Sequence, residues 1–186
     1  MSESAKRLAF LVGAIVLTFA LYFSIKNVKS EGGENPTAGV PAITFESLLS
    51  KAKKGLNGDQ LKAVSSAEIK LKNSTSVEHL SAIGNLWDSY HFPGISAHYF
   101  EQIAESQPSE KTWVNAAYRY FDGFQAANDT AIKKMMVRKA ISCYEKASEL
   151  NPENLDIKSD LGICYAQEGS NPMQGIMMLR QVVAQN

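Results

Sequence analysis

Three histidines are the side chains of this sequence best suited to binding a metal ion, but their spacing does not support a site. His79, His91 and His98 match neither HExxH nor another common zinc-ligand spacing. The Pro93-Gly94 pair also places the last two histidines on different structural elements. We therefore expect no metal and no cofactor at these residues.

Two cysteines and one pair of carboxylates are the remaining candidates for reactive chemistry. Cys143 and Cys164 form no CxxC motif, and we interpret them as small buried thiols. A disulfide between them would require an oxidising compartment. Asp156 and Asp160 stand i,i+4, which is more typical of a solvated helix face than of an acid–base couple. Since the sequence also has no nucleophile elbow and no phosphate-binding glycine loop, we expect that the protein is not an enzyme.

The composition favours one ordinary folded domain with appended segments. The chain has 186 residues, of which 45% are hydrophobic, and this is enough to form a core. Lys and Arg total 19, as do Asp and Glu, so the net charge is near zero. Because nucleic-acid binding depends on a basic surface, a nucleic-acid partner is not expected.

One spacing of small and aromatic residues occurs twice between residues 113 and 182. Small residues stand where the two helices of a pair must touch, and aromatic residues stand where neighbouring pairs meet. A fainter copy precedes them, between residues 77 and 108. The pattern is carried by Gly84, Trp87, Phe100, Pro108, Trp113, Ala117, Tyr120, Ala140, Tyr144, Ala147, Pro152, Leu161, Gly162, Tyr165, Gly175 and Leu179.

This pattern resembles the tetratricopeptide (TPR) repeat family, in which helix pairs stack into an α-solenoid. The resemblance implies an all-α fold of antiparallel helix pairs, with repeats at residues 77–109, 110–154 and 155–186. It also implies that the first helix of each pair lines a concave groove that binds protein segments. No small-molecule substrate is expected for such a surface.

The second repeat is longer than the family pattern. Ala117 and Gly162 are 45 residues apart, whereas the family repeat is about 34 residues long. About eleven added residues correspond to roughly three helical turns, which predicts two lengthened helices instead of a loop. Near the tip of this hairpin, we expect apolar side chains to pack on one another, the alternative being a landing site for a partner. These side chains are Phe121, Phe124, Met135 and Met136.

Residues 8–25 predict a single N-terminal transmembrane helix. They contain no charge, and at about 1.5 Å per residue they reach roughly 27 Å, close to the thickness of a bilayer core. A cleavable signal peptide is the alternative, although Tyr22 and Phe23 stand where a peptidase needs small residues. The short tail of residues 1–7 favours a cytoplasmic N-terminus, so the repeats are expected on the periplasmic side of a bacterial inner membrane.

The segments next to the repeats have different expected roles. Residues 26–42 are rich in Gly and Pro and predict a flexible tether. Residues 43–76 predict a helical hairpin that caps the first repeat, with Thr44 beginning its first helix and Asn57-Gly58 separating the two helices. At the other end, we expect a partner or further repeats to cover the apolar face of the last helix.

The TPR resemblance assigns eight residues to the groove. Asn85 and Asn115 match the asparagines of TPR domains that clamp a C-terminal carboxylate, but the accompanying basic residues are absent. The acidic Asp156 and Asp160 stand in the groove instead, so a basic or mixed segment is the expected ligand. The eight residues are Ser81, Asn85, Asp88, Asn115, Tyr118, Asp156, Asp160 and Ile163.

Together these features predict a membrane-anchored TPR scaffold or adaptor that binds other proteins through its groove. One alternative is an assembly or maturation factor for envelope proteins, similar to the TPR modules of cytochrome c maturation. Another is an organellar import receptor whose repeats face the cytosol. The sequence specifies a binding mode and does not identify the partner.

Overall fold

The computed structural model describes residues 43–185, and the regular structure in this range is entirely helical. Eight α-helices follow one another with short connections over these residues. They are α1 (Phe45–Lys54), α2 (Gly58–Asn73), α3 (Val77–Ser89), α4 (Pro93–Ser106), α5 (Glu110–Ala126), α6 (Thr130–Leu150), α7 (Leu155–Glu168) and α8 (Pro172–Gln185). The prediction of an all-α fold is therefore confirmed for the part of the chain that the structure describes.

Polar side chains at the helix starts explain where several helices begin. The Thr44 hydroxyl accepts a hydrogen bond from the backbone N–H of Ser47 at the start of α1, as the sequence predicts. Asn57, expected only to interrupt the chain, also caps α2 by accepting from the N–H groups of Asp59 and Gln60. As a result, α2 begins at Gly58, one residue earlier than expected.

Each helix from α2 onward packs against the next helix in the chain, which produces a row of antiparallel hairpins. The first helix, α1, also contacts α4, where the Phe45 ring stacks on His98 with 3.7 Å between the ring centroids. Lys53 of α1 pairs with Glu68 of α2 at 2.7 Å. The first helix therefore lies against the second helix of the first repeat, and the capping role of residues 43–76 stays a prediction.

Helices α3 and α4 are joined by a tight turn in which one histidine adopts the left-handed backbone conformation. The Phe92 N–H donates to the Trp87 carbonyl at 3.0 Å, and the His91 N–H donates to the Asp88 carbonyl at 2.9 Å. These two bonds form a Schellman motif, whose left-handed position is normally occupied by glycine. Here His91 occupies it, with φ of 64°. Phe92 packs edge-on against Trp87, and Pro93 then begins α4.

Glycines lie where paired helices come closest. A Cβ on Gly84 would lie 2.7 Å from the Phe100 ring, and a Cβ on Gly175 would lie 2.7 Å from the Ala166 backbone nitrogen of α7. Both close approaches agree with the repeat pattern. A third close approach, between Gly94 of α4 and Gly123 of α5, is not part of that pattern: a Cβ on Gly123 would lie 2.8 Å from the Gly94 Cα.

Most residues of the repeat pattern are buried. Trp87, Ala117, Ala140 and Ala147 each have no exposed area. The exceptions are Pro108 and Pro152, which lie exposed between repeats, and Tyr165 and Leu179, which are partly exposed. Most residues of this spacing pattern therefore lie in the core between the packed helices.

The second repeat contains the longest helices of the described region, with 17 residues in α5 and 21 in α6. The helices of the neighbouring pairs have 13 or 14 residues. The Phe121 and Phe124 rings stack with 5.6 Å between centroids, and Met136 is buried against Gly94. These side chains, with Met135, belong to the core or pack against it, as the first interpretation expected.

The predicted transmembrane helix at residues 8–25 and the tether at residues 26–42 lie outside the described residues. Within residues 43–185, no helix combines the length and the apolar character needed to cross a membrane.

Candidate binding groove

Three cavities share one side chain, Tyr118 of α5. The first, of about 670 Å³, lies between the end of α3 and the second half of α5. The second, of about 640 Å³, lies between the first half of α5 and the start of α7. The third, of about 180 Å³, lies between α5, α7 and Tyr144 of α6. We call this continuous surface the groove.

The structure brings six of the eight predicted groove residues together. Asp88, Asn115, Tyr118, Asp156, Asp160 and Ile163 each line at least one of the three cavities. Ser81 and Asn85 lie further back on α3 and line none of them, although Asn85 is exposed. The groove is therefore formed mainly by α5 and α7, with α3 contributing its C-terminal end.

Two apolar side chains of the groove are exposed. Tyr118 is 57% exposed and Ile163 is 38% exposed. In contrast, Trp113 and Tyr120 on the same helix as Tyr118 are buried in the core. An exposed aromatic side chain on a rigid helix is a common anchor for a protein ligand, because it offers a large contact area at little entropic cost.

Sequence reasoning missed several groove residues, among them Glu110, Asp122, Gln125 and Arg119, of which Arg119 makes the most contacts. Its Nε donates to the Asp88 carboxylate at 2.7 Å, and its Nη1 donates to the side-chain oxygen of Asn115. Its guanidinium also lies over the Phe100 ring, 3.8 Å from the centroid. The i,i+4 spacing of Asn115 and Arg119 was a signal for the second contact. Because the Asn115 amide oxygen and the Asp88 charge are both engaged, they are not available to clamp a ligand.

Acidic groups outnumber basic groups in the groove. Its lining includes five carboxylates and two basic side chains, which gives an excess of three negative charges. The carboxylates are Asp88, Glu110, Asp122, Asp156 and Asp160, and the basic side chains are Lys111 and Arg119. This balance differs from the neutral balance of the chain as a whole, so the groove concentrates negative charge.

Burial affects the two carboxylates that line the third cavity together with Tyr118. Burial raises the pKa of Asp160, a hydrogen bond from the Tyr144 hydroxyl opposes that shift, and nearby Asp156 adds to it. Burial also raises the pKa of Asp122, with a contribution from Asp88 that Arg119 opposes. A cation that entered the groove would offset both effects, because it would stabilise the ionised carboxylates.

A buried polar cluster behind the groove joins three helices. Glu101 of α4 is 6% exposed and accepts hydrogen bonds from the Tyr120 hydroxyl of α5 at 2.6 Å and from Lys139 of α6 at 2.9 Å. Burial is the main cause that raises the pKa of Tyr120 far above its usual value, followed by the Glu101 charge. A glutamate in the core is not expected from the sequence, because a charged side chain is rarely buried without partners. The cluster fixes the position of α5, and with it the position of Tyr118.

The cysteines and two of the histidines are either buried or in contact with neighbouring groups of the protein. Cys143 and Cys164 are free, buried thiols, and burial raises the pKa of each to about 12. His98 stacks on Phe45, and burial lowers its pKa. His79 is hydrogen-bonded to a backbone carbonyl at 2.7 Å. No cluster of three potential metal ligands occurs among residues 43–185.

Comparison with known proteins leaves the family of the chain open. No protein-family model matches the sequence, and no curated protein matches it significantly. The resemblance to tetratricopeptide repeats thus depends on the residue spacing and on the row of helical hairpins.

Proposed function

We propose that this protein is a TPR-like α-solenoid that binds a segment of a partner protein in the groove. The row of antiparallel hairpins, with small residues at the helix contacts, supports the solenoid assignment. The groove supports the binding assignment, because three cavities meet at an exposed aromatic side chain on a fixed helix. This meeting point at Tyr118 is the observation on which the proposal depends.

The length of the groove suits an extended polypeptide. Its lining on α5 extends from Glu110 to Ala126, and at about 1.5 Å per residue this face is roughly 24 Å long. An extended chain advances about 3.3 Å per residue, so roughly seven residues of a partner could lie along it.

The charge of the groove favours a ligand with basic residues. An excess of three negative charges lines the cavities, and the Arg119 charge is paired with Asp88. An acidic peptide or a free C-terminal carboxylate would be repelled by Asp156 and Asp160. The proposed ligand is therefore a basic or mixed segment.

We also propose that the protein holds this partner near a membrane, as a scaffold or adaptor. The support is the uncharged sequence of residues 8–25 and the Gly- and Pro-rich sequence of residues 26–42. With the N-terminus in the cytoplasm, the groove would face the periplasm of a bacterial cell.

Co-purification of the full chain with its partners tests the binding assignment. The double variant Tyr118→Ala, Ile163→Ala truncates two exposed groove side chains, so folding should be retained while the partner that co-purifies with the wild type is lost. Glu105→Ala, Glu149→Ala alters two exposed residues outside the groove and is the matched control. Retention of the same partner by the groove variant would refute the proposal.

A further inference from the structure

The groove contains an internal example of how this surface holds a guanidinium group. Arg119 is bound by a carboxylate from Asp88, an amide oxygen from Asn115 and the face of the Phe100 ring. These three contacts supply charge, a neutral acceptor and an aromatic surface. Together they form a favourable environment for arginine, which pairs with carboxylates and stacks on rings.

The same three kinds of group recur one helical turn away, around the third cavity. There the ring of Tyr118 is exposed, and the carboxylates of Asp122 and Asp160 and the amide of Gln125 line the same space. Asp122 and Gln125 stand on the same face of α5 as Tyr118, at i+4 and i+7. Asp160 comes from α7 on the opposite wall. The cavity, of about 180 Å³, has room for a side-chain head group and not for a secondary-structure element.

Asp160 is partly buried and lines the third cavity together with Tyr144. The Tyr144 hydroxyl lowers the pKa of this carboxyl, against the larger effect of burial. Arg119 pairs with Asp88 and also acts on the Asp122 charge, and Lys139 pairs with Glu101. A partly desolvated carboxylate interacts strongly with an incoming cation, because less water screens the two charges.

We propose that the third cavity is an arginine subsite, in which an arginine of the partner segment stacks on Tyr118 and pairs with Asp160 and Asp122. This inference depends on the proposed function, since it names the residue type that the groove selects. Arginine fits better than lysine, because its planar guanidinium can face the ring and donate to both carboxylates at once. The neighbouring cavities would then hold the residues on either side of that arginine.

Binding of labelled peptides to the full chain tests the subsite. The probes are fluorescein-labelled heptapeptides Gly-Ser-Gly-X-Gly-Ser-Gly in which X is arginine, citrulline or lysine. Citrulline keeps the shape of arginine and removes its charge. We expect the arginine peptide to bind about 10-fold more tightly than the citrulline peptide, with the lysine peptide between them.

Substitutions in the groove give the second arm of the test. Asp160→Asn keeps an acceptor for the Tyr144 hydroxyl and removes the charge, and it should weaken binding of the arginine peptide by about 10-fold while leaving the citrulline peptide unaffected. Tyr118→Leu should reduce the preference for arginine over lysine. Glu149→Gln removes one negative charge from an exposed position on α6 and should leave all three affinities unchanged.

The outcomes separate this inference from the proposed function. Equal affinity for arginine and citrulline peptides, no binding of the arginine peptide up to about 1 mM, or an equal loss in Asp160→Asn and Glu149→Gln would overturn the subsite. Any of these results is compatible with a groove that still retains its partner through Tyr118 and Ile163 in the co-purification test. If the Tyr118→Ala, Ile163→Ala variant also kept the co-purifying partner, both the subsite and the proposed function would be overturned.

Discussion

Gly123→Ala tests the helix packing that positions the groove. Gly123 of α5 faces Gly94 of α4, and a methyl group on Gly123 would lie 2.8 Å from the Gly94 Cα and 2.9 Å from its nitrogen. Ordinary contacts begin at 3.4 Å, so the two helices would have to separate by about 0.6 Å. Both blocking atoms belong to the backbone, and a side-chain rotation cannot relieve the clash.

Two opposing effects determine the free-energy change. Overpacking in a rigid site costs about 1–3 kcal/mol, and the backbone clash places this site near the upper end. Alanine is favoured over glycine inside a helix by about 1 kcal/mol. We therefore expect Gly123→Ala to lower the free energy of unfolding by about 2 kcal/mol.

Urea unfolding followed by circular dichroism measures this change from the midpoint and slope of the transition. Gly58→Ala is the matched control, because no atom lies within 4 Å of a Cβ at that position in α2. The control should be neutral or stabilising by up to about 1 kcal/mol. If Gly123→Ala is as stable as the wild type, α4 and α5 do not approach as closely as described. The described position of Tyr118, which lies on α5, would then be wrong as well.

Three further predictions concern single sites. His91→Gly should raise the free energy of unfolding by about 1 kcal/mol in urea titrations, because glycine adopts the left-handed conformation without strain. Cys143 and Cys164, whose pKa values are raised to about 12, should resist iodoacetamide at pH 8 in the folded protein and react once it is unfolded in urea. Asp160→Asn should stabilise the protein at pH 7, because burial raises the pKa of Asp160 and so penalises its ionised form. That gain should disappear as the pH falls through the raised folded-state pKa and the wild-type carboxyl is protonated; a gain that persists in acid would contradict this explanation.

The sequence predicts the helices and much of the core because these depend on local signals. Apolar spacing and residues such as Thr44 and Pro93 set the helix boundaries, and these signals act within a few residues. Small residues of the repeat pattern, such as Gly84 and Gly175, mark helix contacts within a pair, where the geometry repeats. The lengthened helices of the second repeat follow from the same regularity.

Contacts between one helix pair and the next are harder to predict, because they depend on how far the second pair is shifted along the first. The Gly94–Gly123 approach and the Arg119–Asp88 pair join residues 29 or more positions apart, and no periodic signal marks them. Glu101 is charged, so it is expected on the surface until its partners on two other helices are known. The same shift explains why the sequence pattern places Ser81 and Asn85 in the groove, whereas the cavities begin further along α3, at Asp88.

Site-specific photocrosslinking in living cells tests most directly whether the groove binds a protein partner. Benzoylphenylalanine replaces Tyr118 or Ile163 in the groove of the full chain, or Glu105 or Glu149 on the exposed faces of α4 and α6. We expect one discrete crosslinked partner from both groove positions, attached through a segment that contains arginine or lysine, and no such product from the two outer positions. Equal crosslinking from all four positions, or a product from the outer positions alone, would contradict this expectation.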